Sequence, residues 1–176
     1  MLTAIITDLR DEARLEATLA ALAPAAIDGF VRQLLVIVEG ADAAALALAE
    51  DAGADAVDGF AGACAQARHP WLLILPAGVR PQVGWEAAVR AHAWRDRGTA
   101  GYFIGASAEA GFVARMGEGL AGVRGALGGR PGPAQGLLVS RAMSEEIAAA
   151  DREMLVRGLG RGRLRALAAR ALAPAL

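Results

Sequence analysis

Lysine is absent from this chain: all 18 of its strongly basic side chains are arginine, accompanied by two histidines. That excludes a Schiff-base amine and the lysine of a phosphate-binding P-loop. A single cysteine, Cys64, can close neither an internal disulfide nor a cysteine metal cluster, and it points to a reducing compartment. Aromatic residues make up 5% of the sequence and hydrophobic residues, mostly alanine and leucine, 55%. This balance favours helices packed on a sheet over an aromatic-rich β-sandwich. No apolar run approaches the ~20 residues needed to cross a bilayer, and the N-terminus meets Asp8 and Arg10 before a signal-peptide core develops. A net charge of −1 leaves no basic surplus for neutralising phosphates, so nucleic acid is not an expected partner. HExxH, CxxC and GxSxG patterns are also missing, which leaves zinc and serine-hydrolase chemistry without support. The expectation is a soluble, cytoplasmic chain whose 176 residues form one domain with a sizeable core.

What is present alternates between strand-like and helix-like patterns. The most informative stretch is WLLILPAGVRPQVGW at 71–85. Its apolar run is too short for a membrane and too continuous for a half-solvated strand, so it reads as a strand covered on both faces. That puts Pro76, Ala77, Gly78 and Val79 at its carboxyl end, the edge where open α/β sheets bind ligands. Residues 2–7 read as a first strand, followed by a helix that carries Leu15, Leu19 and Leu22 on one face until Pro24 ends it. Residues 34–38 (LLVIV) are the clearest strand, and Asp42 caps a helix running to about Ala52. A weaker strand at 54–57, a short helix at 61–68, a helix at 83–95 and a strand at 101–104 complete a βαβα order. This order predicts a largely parallel α/β sheet with helices on both faces.

The second half is less regular. A helix is expected near residues 114–123, a strand at 135–140, and a helix from about Ser144, as N-cap, to Arg157. The tail RGRLRALAARALAPAL combines arginines with leucines at helical spacing. It reads as an amphipathic closing helix, which could serve a homodimer or lie weakly on an anionic membrane surface. Gly117, Gly119 and Gly122 spell GxGxxG, but the dinucleotide version directly follows a first strand and this one does not. Cys64 and His69 suggest a thiol nucleophile and its base, yet a small thiol among alanines fits packing better. The carboxylates near strand ends carry more information. Asp8, Asp11 and Glu12 follow the first strand and Glu39 the second, so neighbouring strand ends can present acids to one cleft. There they would accept hydrogen bonds from a nucleobase or ribose, or help hold a divalent cation. Asp11 suits a helix cap; Glu39, beside Gly40, suits a ligand.

The segments AIITDLRDEARLEATLAAL, LLVIVEGADAAALALAEDAGADAV, ARHPWLLILPAGVRPQVGW and QGLLVSR, in that order, resemble the small bacterial members of glycosyltransferase family 2. The resemblance runs over residues 2–172. It implies a three-layer, Rossmann-like GT-A fold, with a nucleotide-binding half at 1–100 and an acceptor-side half at 101–176. It also implies transfer of a sugar from a nucleotide donor with the help of a divalent metal. By the same resemblance, Thr7, Asp8, Arg10 and Asp11 stand where the family has a Pro, a small polar residue and an Asn-Glu pair. Glu39 stands for the base-contacting aspartate.

The family's acidic chemistry is not matched as well as its framework. Gly78 stands where the family's metal-binding aspartate would be, and Pro133, Ala134 and Gln135 replace a Gly-Asp-Gln segment. The Glu-Asp pair that supplies the family's catalytic base aligns with Asp151 and Arg152, with Glu153 one residue on. Asp151 and Glu153 are therefore the candidate catalytic acids, and Thr7, Asp8, Arg10, Asp11, Glu39, Gly78 and Arg80 the candidate nucleotide-binding residues. No residue is assigned to a metal. Glycine and alanine supply no carboxylate, so Mg2+ or Mn2+ is expected only in company with a nucleotide. Arginines such as Arg80, Arg130 or Arg152 can neutralise a diphosphate leaving group instead. Two readings follow: a glycosyltransferase acting on a nucleotide sugar without the usual acidic metal motif, or a catalytically inactive GT-A-like module that binds a nucleotide or a protein.

Overall fold

The computed structural model describes residues 1–106, 131–132 and 135–173. Strands β1 (Leu2–Thr7), β2 (Val31–Ile37), β3 (Asp55–Val57) and β4 (Trp71–Pro76) alternate with helices α1 (Glu12–Ile27), α2 (Ala43–Asp51) and α3 (Phe60–Gln66). They are followed by β5 (Arg80–Pro81), α4 (Trp85–Arg95), β6 (Ala100–Ala106), β7 (Leu137–Ser140), α5 (Arg141–Ile147), α6 (Arg152–Leu159) and β8 (Leu164–Leu172). The strands form one sheet in the order β3-β2-β1-β4-β7-β6-β8-β5. Pairings β1/β2, β1/β4, β2/β3 and β6/β8 are parallel, while β4/β7, β6/β7 and β5/β8 are antiparallel. The mostly parallel α/β architecture expected from the sequence is what the chain adopts.

Period-two alternation in the central strands divides the core into two layers. Ala4, Ile6, Leu73 and Leu75 face α1, α2 and α4, joining Leu15, Leu22, Ala45 and Val89. Ile5, Leu72 and Ile74 face the other way, joining Phe60 of α3, Met143 of α5 and Leu155 of α6. Because β1 and β4 are covered on both faces, β1 is buried along its whole length and Leu72–Leu75 are 0% exposed. Trp85 anchors the first layer at 2% exposure, with ring centroids 5.6 Å from Phe30 and 6.3 Å from Phe103.

Helix starts follow their caps. Asp11 accepts from the Arg14 N–H at 2.9 Å, Asp42 from the Ala45 N–H at 2.7 Å, and Asp151 from the Met154 N–H at 2.7 Å. Each satisfies a backbone donor that the first turn leaves without a partner.

Three expectations are corrected. Pro24 does not end α1, which continues to Ile27. Proline removes one donor, but Ala20 and Pro24 both lie on the exposed side, where water satisfies the freed carbonyl. The helix placed at 144–157 is two helices. Its first is capped by Ser140, through the Met143 N–H, rather than by Ser144, which is buried inside the helix. That helix stops at Ala148, which takes a left-handed conformation with φ 47°. The arginine- and leucine-bearing tail is not a helix but strand β8, parallel to β6, with Leu164 and Leu167 buried in the core. The amphipathic helix on which the homodimer and membrane expectations rested is therefore absent among the described residues. The helix expected near 114–123, the Gly117/Gly119/Gly122 pattern, Arg130, Pro133 and Ala134 lie outside the described residues. No helix among the described residues is long and apolar enough to cross a membrane.

Candidate functional site

The carboxyl ends of β1 and β2 and the turn after β3 open onto a cavity of ≈ 600 Å³, closed on its far side by the start of α6. This is the edge at which open α/β sheets expose strand ends and helix N-termini to ligands. Thr7 ends β1 and Asp8 follows it, Glu39 comes from the turn after β2, and Asp151, Arg152 and Glu153 from α6 and its cap. Clefts of ≈ 720 and ≈ 630 Å³ open at the opposite edge, but they gather no set of acids, so chemistry rather than size selects the site.

Asp8 departs from ordinary backbone geometry. Its φ of 55° places a non-glycine residue in the left-handed region, a conformation that needs support from its surroundings. The Thr7 hydroxyl donates to Asp8 Oδ2 at 2.9 Å, which fixes the carboxylate beside the cavity. Glu39 is exposed at the neighbouring strand end, next to Gly40 with φ 81°. A side chain there is free to turn toward a ligand.

Arg152 is the cation among the residues lining the cavity. Its Nη2 donates to the carbonyl of Gly132 at 3.0 Å and to that of Gln135. Gln135 in turn donates from Nε2 to the Phe103 carbonyl at 3.0 Å and accepts the Gly132 N–H at 2.6 Å. The guanidinium thus ties α6 to the segment entering β7 and to β6. Burial draws its pKa below the usual arginine range, and the nearby charge of Asp8 acts in the opposite direction. Its Nε is buried and finds no acceptor among the described residues.

The two candidate catalytic acids are both partly engaged. Asp151 Oδ1 caps α6, and Glu153 Oε1 meets Arg157 Nη2 at 2.7 Å in an exposed ion pair. An exposed pair of this kind is worth less than about 1 kcal/mol and separates readily. Glu153 is therefore the freer of the two.

Of the sequence candidates, Thr7, Asp8, Glu39, Asp151 and Glu153 meet at this cavity, whereas Arg10, Asp11, Gly78 and Arg80 do not line it. Asp11 is the cap of α1 and contacts Arg14 Nε at 3.4 Å, and Arg10 is exposed beside it. Arg80 is half-buried in β5 opposite Leu172. Gly78 is buried with φ 90°. Its N–H donates to the Thr18 hydroxyl of α1 at 2.8 Å, and that hydroxyl lies 3.1 Å from the Val79 carbonyl. The turn after β4 is thereby pinned beneath α1. Phe60, Gly59, Ile37 and Ala150 complete the cavity wall; as apolar or small residues they carry no chemical signature that a sequence reading could have used.

A divalent metal fits the described residues poorly. The turn at Gly78 offers no carboxylate, and no group of three or more His, Cys, Asp or Glu side chains among the described residues is placed to hold a metal ion. The wall instead presents four carboxylates and one guanidinium. It is rich in acceptors, suited to hydroxyl and N–H donors, and a phosphate there needs a cation beside it.

Cys64 does not belong to this site. It sits half-buried on α3, where burial raises its thiol pKa and a hydrogen bond with Ser144 partly opposes the rise. His69 lies in the turn before β4, at the opposite edge of the sheet. With its thiolate disfavoured, Cys64 is expected to react with a disulfide reagent at pH 8 several-fold more slowly than free cysteine. A rate equal to or above that of the free amino acid would contradict this environment.

Neither a protein-family model nor a curated protein matches the sequence. Among solved structures, the chain is similar to glucosyl-3-phosphoglycerate synthase from Mycobacterium tuberculosis at 16% identity. With its complex with phosphoglyceric acid the TM-score is 0.65, covering 98% of this chain and 70% of that one. With its complex with Mn2+ and UDP-glucose the TM-score is 0.64 at the same coverage. With its complex with Mn2+, UDP and phosphoglyceric acid it is 0.61, covering 93% and 66%. The chain thus spans about two thirds of that enzyme's length, and the likeness carries the fold, which is GT-A-like.

Proposed function

We propose that this chain binds a nucleotide sugar, with the nucleoside held by Asp8 and Glu39, and that it transfers the sugar to an acceptor. The observation that carries this reading is the convergence of those two carboxylates, from adjacent parallel strand ends, on the ≈ 600 Å³ cavity. Carboxylates accept hydrogen bonds from the N–H of a base and the hydroxyls of a ribose, and such charge-assisted bonds are the strong ones. The glycosyltransferase resemblance and the GT-A-like fold supply the class of ligand. Within this reading Glu153, held only by an exposed ion pair, takes the proton from the acceptor hydroxyl as the sugar's bond to the diphosphate breaks. No step is routed through a metal.

A specific observation also favours a second reading, a GT-A-like binding module without turnover. Asp151 is committed to the cap of α6, Arg152 to two backbone carbonyls, and Gly78 to Thr18. Residues of the catalytic region are thus occupied in holding structure.

Calorimetric titration with UDP and UDP-glucose, with and without Mn2+, separates these readings. Binding of either ligand is expected, with Glu39→Gln weakening it by about 10-fold or more, as befits a lost hydrogen bond to a charged group. Glu153→Gln should leave binding unchanged. If the chain turns over, that substitution should slow sugar transfer by about 100-fold or more; binding without any transfer favours the module. Failure of a panel of nucleotides and nucleotide sugars to bind, with or without Mn2+, rejects both nucleotide readings.

A further inference from the structure

The edge of the sheet opposite the cavity has a chemistry of its own. Here the amino ends of β1 and β4 and the C-terminal end of α4 line a cleft of ≈ 630 Å³ containing Trp71, Trp94, Arg90, Arg95 and Arg97. A neighbouring cleft shares Trp71 and Arg97 and adds Arg68, His69 and Arg141. Trp94 is 88% exposed although it is the largest kind of side chain a core can use. It stands over an apolar floor that includes Leu2 and Val89.

The cations around this tryptophan are poorly neutralised. Arg90 lies 4.2 Å over the Phe30 ring, and no carboxylate among the described residues comes within ion-pair distance of Arg68, Arg90, Arg95 or Arg97. The acids nearby have other partners: Asp96 accepts the Gly98 N–H at 3.0 Å, and Glu145 pairs with Arg141 at 2.7 Å. His69 reports the local field, since burial and then surrounding positive charge, including that of Arg32 and Arg68, push its pKa below the ordinary histidine value. Arginines thus gather around this tryptophan in a chain whose net charge is −1.

We propose that this arginine-ringed tryptophan face docks on a bilayer containing anionic phospholipids, with Trp94 at headgroup depth and Arg90, Arg95 and Arg97 against the phosphates. Tryptophan pairs a large apolar ring with one polar N–H and suits the membrane–water boundary, while arginine stems extend over apolar surface and keep their charge at the phosphates. Nucleic acid fits less well, because the cations encircle an apolar patch instead of tracing a backbone-length groove. The face differs from the C-terminal tail, whose Leu164 and Leu167 are buried in β8. It is also independent of the nucleotide reading: docking here leaves the carboxyl-edge cavity open toward solution.

Sedimentation with vesicles tests this directly. The wild-type chain is expected to co-sediment with vesicles of phosphatidylglycerol and phosphatidylcholine in equal parts, not with phosphatidylcholine alone, and to be released by high salt. Each arginine should account for about fivefold in partitioning, so Arg95→Glu combined with Arg97→Glu should weaken binding by about 25-fold or more. Vesicles should shift tryptophan emission to the blue, and Trp94→Ala should abolish that shift. These side chains are exposed, so melting temperatures should match wild type; should a variant unfold, quenching of the wild-type emission by brominated lipid decides instead. Equal binding by wild type and charge-reversed protein, absence of vesicle binding, or tighter binding to single-stranded DNA or poly-glutamate than to vesicles would each overturn the proposal.

Discussion

Arg152→Ala is expected to lower the unfolding free energy by about 3 kcal/mol, a fall in Tm of roughly 6–12 °C for a domain of this size. Two charge-assisted hydrogen bonds, to the carbonyls of Gly132 and Gln135, disappear together. Each such bond contributes about 1.5–3 kcal/mol. Relief of the desolvation that depresses the Arg152 pKa offsets part of the sum. The carbonyls of Gly132 and Gln135 lose this side-chain donor. Arg152→Lys is a sharper variant, because both bonds come from the single Nη2, and lysine keeps the charge but carries its donors on a flexible stem in place of a rigid planar group. It should recover less than half of the loss. Urea unfolding of the three proteins measures this, and an alanine variant within about 0.5 kcal/mol of wild type would mean that the bridge holds nothing together.

The same residue shows what the sequence could and could not reveal. Beside Asp151, Arg152 reads as a cation for a diphosphate; nothing in the string indicates that its guanidinium faces two carbonyls 17 and 20 residues earlier. Local signals were legible. The apolar run at 71–75 had to be a doubly covered strand, and Asp11 and Asp42 cap the helices that follow them. That Glu39 and Asp8 lie at one edge was legible because strand ends in a parallel sheet share it.

Long-range signals were not legible. In β8, Leu164 and Leu167 are three apart, which mimics a helical face, but the spacing arises from irregular pairing with β6. Tyr102 aligns with Ala166 and Ile104 with Arg170, so β8 accommodates extra residues between two partners. A bulged strand loses its period of two and imitates a helix. At the turn after β4, the sequence identifies a strand end correctly but cannot say that the turn folds beneath α1, because the partner hydroxyl of Thr18 lies 60 residues away.

That turn supports the second large effect. Gly78→Asp is expected to destabilise the chain by about 2–4 kcal/mol at pH 7 and to gain no stabilisation from Mn2+. Two costs combine: a side chain at φ 90°, about 1–2 kcal/mol for most L-residues and less for aspartate, and a carboxylate in a buried position without a designed partner, about 1–3 kcal/mol. Burial raises the pKa of such a carboxyl above its unfolded value. The folded variant then binds more protons than the unfolded chain between the two pKa values, so its stability relative to wild type falls as pH rises through that window and recovers in acid. Urea denaturation of both proteins at pH 5 and pH 8, repeated with Mn2+, tests the sign. A variant as stable as wild type whose Tm climbs with Mn2+ would show that the turn can swing outward and seat a cation. The structure argues otherwise: residue 78 spends its backbone donor on Thr18, and the backbone conformation that permits this contact is one that favours glycine.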